Sequence, residues 1–347
     1  MLEDRLEVGP LKKAGLKKEE LLSAYRTMLL TRILDQKTLS LHNQGKIGSY
    51  TSSAGHEAAH VGSVYGLQAQ DYLFPYYRDQ GVLLARGVPP EKILNRYFGN
   101  ASDEMKGRDL PNLYSFRNYK IFSNAAPIAS NLQISVGYAM AARMKNEDDL
   151  VAVSYFGDGA TSSGEFHVAL NFAGVYKTPC IFICENNQYA ISVPVKRQTA
   201  SKTISMKAAA YGIAGETVDG NDFFAVQASV SAARERAVKG EGATLIECVT
   251  YRYSPHSSSD DWKRYRAKEE VDEWKKKDPL SQFKEKLLAM SVLTIDVEKR
   301  MSDQLQEQVN TAAKIAEGIP DPPIESLIQD VYAEIPQSLK DEAASDF

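Results

Sequence analysis

Three short apolar runs, set among stretches of helical periodicity, limit what this chain can fold into more than any other feature of its sequence. They are LVAVSYFG (150–157), PCIFICENN (179–187) and TLIECVTY (244–251). Apolar side chains at successive positions of a strand point to opposite faces, so such runs suit strands covered on both sides. Helical patterns fall between them, at about 164–175, near Ser205 and at 223–238, with a shorter strand at 216–220. Strands alternating with helices predict an α/β fold with a doubly wound, mostly parallel sheet. In that class ligands sit at the carboxyl ends of the strands.

The chain has 347 residues, more than one core normally serves, which leads us to expect extensions around the sheet. Leucines recur at helical spacing from Lys17 to about His42, closing before Gly45 and Gly48. After Tyr253 the periodicity stops at SPHSSSDDWKRYR, and helices rich in Lys and Glu follow. The expected boundaries are an N-terminal helical extension over 1–48, the α/β domain over 49–266 and a C-terminal helical region over 267–347. A segment over 99–124 is too long for an idle connection and is expected to gate a site.

Charge and cysteine use exclude several classes. A formal net charge of -4 offers no footprint for nucleic acid. No window reaches the apolar length of a membrane span, and MLEDRLEVGPLKKAG shows neither a signal nor a transit pattern, so a cytoplasmic protein is expected. Cys180, Cys184 and Cys248 lie in strand-like runs and read as reduced packing residues.

The chemistry concentrates at two strand ends. Gly157, Asp158 and Gly159 follow the first apolar run, and Asn187 ends the second. Adjacent parallel strands would bring Asp158 and Asn187 together, and their carboxylate and carboxamide oxygens are hard ligands suited to magnesium. Gly159 and Ala160 begin a helix, where unpaired backbone N–H groups can hold a diphosphate.

A GDG followed after about thirty residues by NN resembles the thiamine-diphosphate fingerprint. FPYYRDQG (74–81), NAAPIASN (124–131), YFGDGATSSGEF, ENNQYAISVP, VDGND and YRYSPHSSSDD resemble, in the same order, blocks of the alpha subunits of 2-oxo acid dehydrogenases. The similarity covers nearly the whole chain. It implies thiamine diphosphate and Mg2+ as cofactors, with Asp158, Asn187 and the backbone carbonyl of Tyr189 on the metal. It also implies Tyr77 and Arg78 on the diphosphate, Ile128 against the aminopyrimidine, and His256 as the catalytic histidine facing the thiazolium, its pKa near neutral. The coenzyme carries the difficult step by storing the electrons released as carbon dioxide leaves.

The same resemblance implies a beta subunit in an α2β2 heterotetramer, and a lipoyl acyltransferase that receives the acyl group. The substrate is then a small 2-oxo acid, branched-chain acids being favoured and pyruvate the alternative, with Tyr50 and Ile128 in the acyl pocket. Glu185 stands where some members of the family place an arginine, so no diphosphate contact is transferred to it. Ser257 matches a serine phosphorylated in mitochondrial relatives, but a second such position is Ala267, and phosphoregulation is not expected.

Simpler readings compete with each of these. GDG and NN taken singly suit ordinary turns, Tyr77 and Arg78 a solvated rim, and His256 a loop histidine. His56, Glu57 and His60 spell H-E-A-A-H, the spacing of a zinc hydrolase helix, although no third ligand stands at a suitable interval, and His56 is also a candidate for the active-site entrance. A subunit that keeps the fold without catalysis is a further alternative.

Overall fold

The computed structural model describes residues 15–346, so the reading of residues 1–14 lies outside it. A long helix, α1 (Lys18–Asn43), and a short one, α2 (Glu57–Tyr65), precede the first strand, β1 (Tyr72–Phe74). Helices α3 (Gln80–Ala85), α4 (Pro90–Phe98) and α5 (Ser130–Met144) lead to β2 (Ala152–Gly157). Helix α6 (Gly164–Val175) connects to β3 (Cys180–Asn186), which is followed by a hairpin of β4 (Tyr189–Ala190) and β5 (Val193–Pro194). Then come β6 (Ala214–Asp219), α7 (Phe223–Val238) and β7 (Thr244–Val249). Five helices follow: α8 (Lys268–Lys275), α9 (Pro279–Ala289), α10 (Ile295–Gly318), α11 (Ser326–Gln329) and α12 (Gln337–Asp346).

Five strands form one sheet in the order β1-β2-β3-β7-β6, every neighbouring pair parallel. The expected α/β architecture is present, and the reason is visible along each central strand. Val153, Tyr155, Ile181, Ile183, Ile246 and Cys248 point into one core, together with residues of α1, α2 and α7. Ala152, Phe156, Cys180, Phe182, Cys184 and Leu245 point into a second core, built with α5 and α6. Alternate residues thus serve opposite cores, which leaves β2, β3 and β7 mostly apolar on both faces. All three cysteines are free and buried, as packing residues should be.

Several elements have no signature in the sequence. β1 is three residues long, too short for periodicity, and it docks by register, Tyr72 to Phe74 pairing with Ala152 to Ser154. The helix expected near Ser205 is a 3-10 turn, Ser205–Tyr211, and β6 is an edge strand whose residues are largely exposed. The segment 99–124 is anchored rather than loose. Arg96 donates to the carbonyls of Leu113 (2.9 Å) and Leu110 (2.8 Å) and pairs with Asp103 at 2.5 Å. Its end runs beside β1, where Leu73 N donates to Lys120 O and Phe122 N to Leu73 O, both at 2.8 Å. Among the described residues no helix is long and apolar enough to cross a membrane.

Phe182 sits on the central strand with none of its surface exposed. Phe182→Ala should lower stability by about 3–5 kcal/mol through lost burial and the cavity left behind. Urea denaturation measures this, and a loss below about 1 kcal/mol would show that the second core is not close-packed there.

Candidate active site

Every strand of a parallel sheet delivers its last residue to the same edge, and here four strand ends converge on one cavity of about 340 Å³. β1 runs into Tyr76, Tyr77 and Arg78; β2 into Asp158, Gly159 and Ala160; β3 into Asn187 and Tyr189; and β7 into Arg252 and His256, all of them lining it. Ile128, half exposed, closes one side from the residues that precede α5. The strand pairing sets Gly157 opposite Glu185, so the tips beyond them stand side by side.

Local hydrogen bonds hold these tips. Asn131 donates its amide to the carbonyls of Phe74 (2.8 Å), Pro75 (3.3 Å) and Tyr155 (2.9 Å), clamping the end of β1 to β2. The paired asparagines divide their work. Asn186 turns inward to Glu247 (2.7 Å), and its carbonyl accepts from Thr250 N at 2.9 Å, whereas Asn187 faces the cavity. Gln188 makes the turn between them and β4 with a left-handed φ of 77°, and its N–H bonds to Asn186 Oδ1 at 3.2 Å. Gly159 lies so close to the hairpin that a Cβ there would stand 2.7 Å from Ala190 Cβ. Only glycine keeps that corner of the backbone open.

Asp158 is 1 % exposed, and burial raises its pKa to about 6 against hydrogen bonds that favour the ionised form, chiefly from Gln198 Nε2 at 2.6 Å. The backbone of Asn187 contributes another such bond, which ties the two strand tips directly. A carboxylate that burial keeps protonated to about 6, despite the charge of Arg252, suits a cation site.

Two guanidinium groups bound the cavity. Arg78 is buried and donates through Nη1 to Ser52 O (2.5 Å) and through Nη2 to His256 O (3.0 Å). Each outer nitrogen thus gives one of its two N–H groups to a carbonyl, and Nε is unpartnered. Arg252 is also buried; it donates to Ile191 O (2.7 Å) and Tyr265 Oη (3.0 Å), and its Nε too lacks a partner. Burial first and the charge of Arg78 second lower the Arg252 pKa to about 10. Two cations on one wall, each with a bare N–H, favour an anion between them.

His256 is held by three contacts. Its backbone N–H donates to Asp260 Oδ2 at 2.7 Å, its ring meets Tyr77 edge-on at 6.0 Å, and Arg252 Nη1 lies 3.1 Å from Nδ1. A guanidinium can only donate, so Nδ1 accepts and the ring proton sits on Nε2. A pKa near neutrality was expected, but burial, then Arg78 and Arg252, hold it at about 3. The loop beyond is fixed by Arg266, which donates to the carbonyls of Arg252, Tyr253 and Ser254 and lies 5.0 Å from the Trp262 ring.

Two candidates lie away from the cavity. Tyr50, expected in the acyl pocket, is buried behind it, and its hydroxyl donates to Asp35 at 2.6 Å. His56, considered for the entrance, is wholly buried and stacks on His60 at 5.6 Å. The H-E-A-A-H segment does form the start of α2, but Glu57 pairs with Arg32 at 2.5 Å and accepts from Gly55 N at 3.0 Å, so it cannot serve as the base of a hydrolase. Arg252, Gln198 and Arg266 had no mark in the sequence, since an arginine in a polar loop or a glutamine eleven residues past Asn187 fits no spacing rule.

Comparison with known proteins agrees with this geometry. The family model described as "Dehydrogenase E1 component" matches residues 25–325. The 2-oxoisovalerate dehydrogenase subunit alpha of Bacillus subtilis is 43% identical over 321 residues, covering 92% of this chain and 97% of that one. The pyruvate dehydrogenase E1 component subunit alpha of Staphylococcus aureus is 39% identical over 325 residues, covering 93% and 85%. The corresponding Staphylococcus epidermidis subunit is also 39% identical over 325 residues. A match of this extent means that the protein belongs to the dehydrogenase E1 component family.

Proposed function

We propose that this chain is the alpha subunit of a 2-oxo acid dehydrogenase that decarboxylates a branched-chain 2-oxo acid on thiamine diphosphate and passes the acyl group to a lipoyl domain. The observation that carries the reading is that two buried arginines, Arg78 and Arg252, line the same cavity as Asp158, each with an Nε that has no hydrogen-bond partner. A diphosphate with a bridging magnesium ion is the ligand that answers both charges at once.

In this reading Asp158, Asn187 and the Tyr189 carbonyl hold Mg2+, and the metal joins them to the diphosphate. Tyr77, the Nε groups of Arg78 and Arg252, and the backbone N–H groups of Gly159 and Ala160 bind the phosphates. Ile128 supports the aminopyrimidine and limits the acyl group, with no part for Tyr50. Bound thiamine diphosphate supplies a nucleophilic carbon and an electron sink for decarboxylation. His256, neutral and protonated on Nε2, offers that N–H to the substrate and can return it, its Nδ1 steadied by Arg252. The apolar cavity walls at Ile128 and Ile191 exclude water from the reacting carbon.

The Bacillus relative named for 2-oxoisovalerate supports the branched-chain choice, and the staphylococcal relatives named for pyruvate keep pyruvate as the second reading. Relatives named as alpha subunits support a beta subunit as partner, here in an α2β2 assembly with a lipoyl acyltransferase beyond it. Helix α6 accords with such a partner. Val168, Phe172 and Val175 on it, with Tyr176 after it, form an exposed apolar stripe at helical spacing, Val175 being 68% exposed.

Three outcomes test the proposal. Asp158→Ala should weaken thiamine diphosphate binding in the presence of magnesium by at least about 100-fold, roughly 3 kcal/mol, in isothermal titration calorimetry. Without the cation, the proton on Asp158 favours the fold at pH below 3.8 and that advantage disappears as pH rises through about 6. Magnesium must displace this proton, so its apparent affinity should rise from pH 5 to 7 in wild type. A flat profile would remove Asp158 from the metal.

His256→Gln should leave cofactor binding nearly unchanged and slow turnover by about 100-fold. The neutral ring of His256 stays unprotonated in the fold down to about 3, against 6.5 unfolded, so stability falls as pH drops below 6.5. In the variant that acid slope should be shallower by about one proton in urea titrations. Finally, the chain reconstituted with its beta subunit and an artificial electron acceptor should oxidise 2-oxoisovalerate faster than pyruvate; equal or reversed rates would select the pyruvate reading.

A further inference from the structure

The second histidine of H-E-A-A-H ends in surroundings that the sequence did not foretell. His60, on α2, meets Asp79, at the start of α3, and Glu185, in β3, and none of the three side chains has any exposed surface. Their ligand atoms all lie within 4.8 Å of one another. Asp79 Oδ1 and Glu185 Oε1, both wholly buried, make no aligned hydrogen bond and face only the His60 ring as a counter-charge. Unpartnered carboxylate oxygens in a dry interior are strongly unfavourable unless a cation meets them.

The distances discriminate between kinds of cation. His60 Nε2 stands 3.5 Å from Asp79 Oδ1 and 3.2 Å from Glu185 Oε1. Zinc bonds nitrogen and carboxylate oxygen at about 2.0–2.2 Å, which places ligand atoms at tetrahedral corners about 3.4 Å apart. The two distances from His60 Nε2 have that spacing before any ion enters. Its nitrogen ligand also favours zinc over magnesium or calcium, which take oxygen. The remaining geometry is fixed by packing. A Cβ on Gly81 would lie 2.8 Å from His60 Nδ1, so the backbone there presses the ring into place. The other carboxylate oxygens are occupied, Asp79 Oδ2 by Tyr76 N at 2.7 Å and Glu185 Oε2 by the Tyr76 hydroxyl at 3.0 Å. Glu185 Oε2 also lies 3.2 Å from His60 Nε2, so that nitrogen meets both oxygens of Glu185 and one of Asp79.

We propose that His60 Nε2, Asp79 Oδ1 and Glu185 Oε1 bind a structural zinc ion in a closed site behind Tyr76, apart from the cofactor cavity. The ion ties α2, β3 and the segment leading from β1 into α3, and so steadies the strip that carries Tyr77 and Arg78. It has no catalytic part, because nothing there opens to substrate. His56 stacks on His60 with both ring nitrogens unpartnered, and Tyr76 adds its hydroxyl; these two border the site and are its sources of a fourth ligand.

Elemental analysis of the full chain, expressed with zinc in the medium and purified without chelator, tests this directly. About one zinc per chain is expected, retained after magnesium and thiamine diphosphate are dialysed away, and lost in His60→Gln and in Asp79→Asn. Wild type with less than about a tenth of an equivalent of zinc would overturn the proposal, as would zinc retained by both variants. If the variants fail to fold, wild type refolded with cobalt(II) gives a second reading. Visible bands of tetrahedral cobalt that zinc then abolishes support the site, and the pale spectrum of octahedral cobalt refutes it.

Discussion

Burial of both faces of one parallel sheet is the constraint on which the rest of this structure depends. Val153, Tyr155, Ile181 and Ile183 fill one core while Ala152, Phe156, Cys180 and Phe182 fill the other. Strands so occupied have little room for polar groups along their length, and those present, such as Glu247, are taken up by neighbours. Solvent-facing chemistry is left to the strand ends, and parallel strands all stop at the same edge. Asp158, Asn187, Arg78 and the Arg252–His256 loop are therefore neighbours because of topology, although 178 positions separate Arg78 from His256 along the chain.

That edge is electrostatically unfinished in the protein alone. Burial pushes the Asp158 pKa up to about 6; burial, then the charge of Arg78, lowers that of Arg252 to about 10; and burial, then both arginines, lowers that of His256 to about 3. Each displacement has the direction that binding would reverse. A negative diphosphate relieves the arginines and raises the His256 pKa, and a divalent cation relieves Asp158.

The loops around the cavity owe their order to arginines more than to apolar contacts. Arg96 gathers the carbonyls of the 99–124 segment, Arg266 gathers those after β7, and Arg78 binds the carbonyls of Ser52 and His256. Each of these side chains is almost wholly buried and satisfies irregular backbone that no sheet or helix would. A lysine could not replace them, since one ammonium cannot span several carbonyls in a plane.

The sequence determined the central strands, the helices over 164–175 and 223–238, and the place of the GDG and NN motifs, because alternation and helical period are local and each run carries its own signal. The cavity residues Asp158, Asn187, Tyr77, Arg78 and His256 were legible from their blocks. Only the tertiary structure decided the rest. β1 is fixed by register against β2 rather than by composition. Tyr50 and His56, plausible by position in the chain, are turned into the core. Arg252 and Gln198 join the site through contacts between distant segments, and the pKa of His256 is set by burial and by two guanidiniums that no linear pattern places beside it. Periodicity records which face of an element is apolar; it carries no information on which groups, far apart in the chain, come to share one desolvated space, and there charge and hydrogen bonding are decided by distance alone.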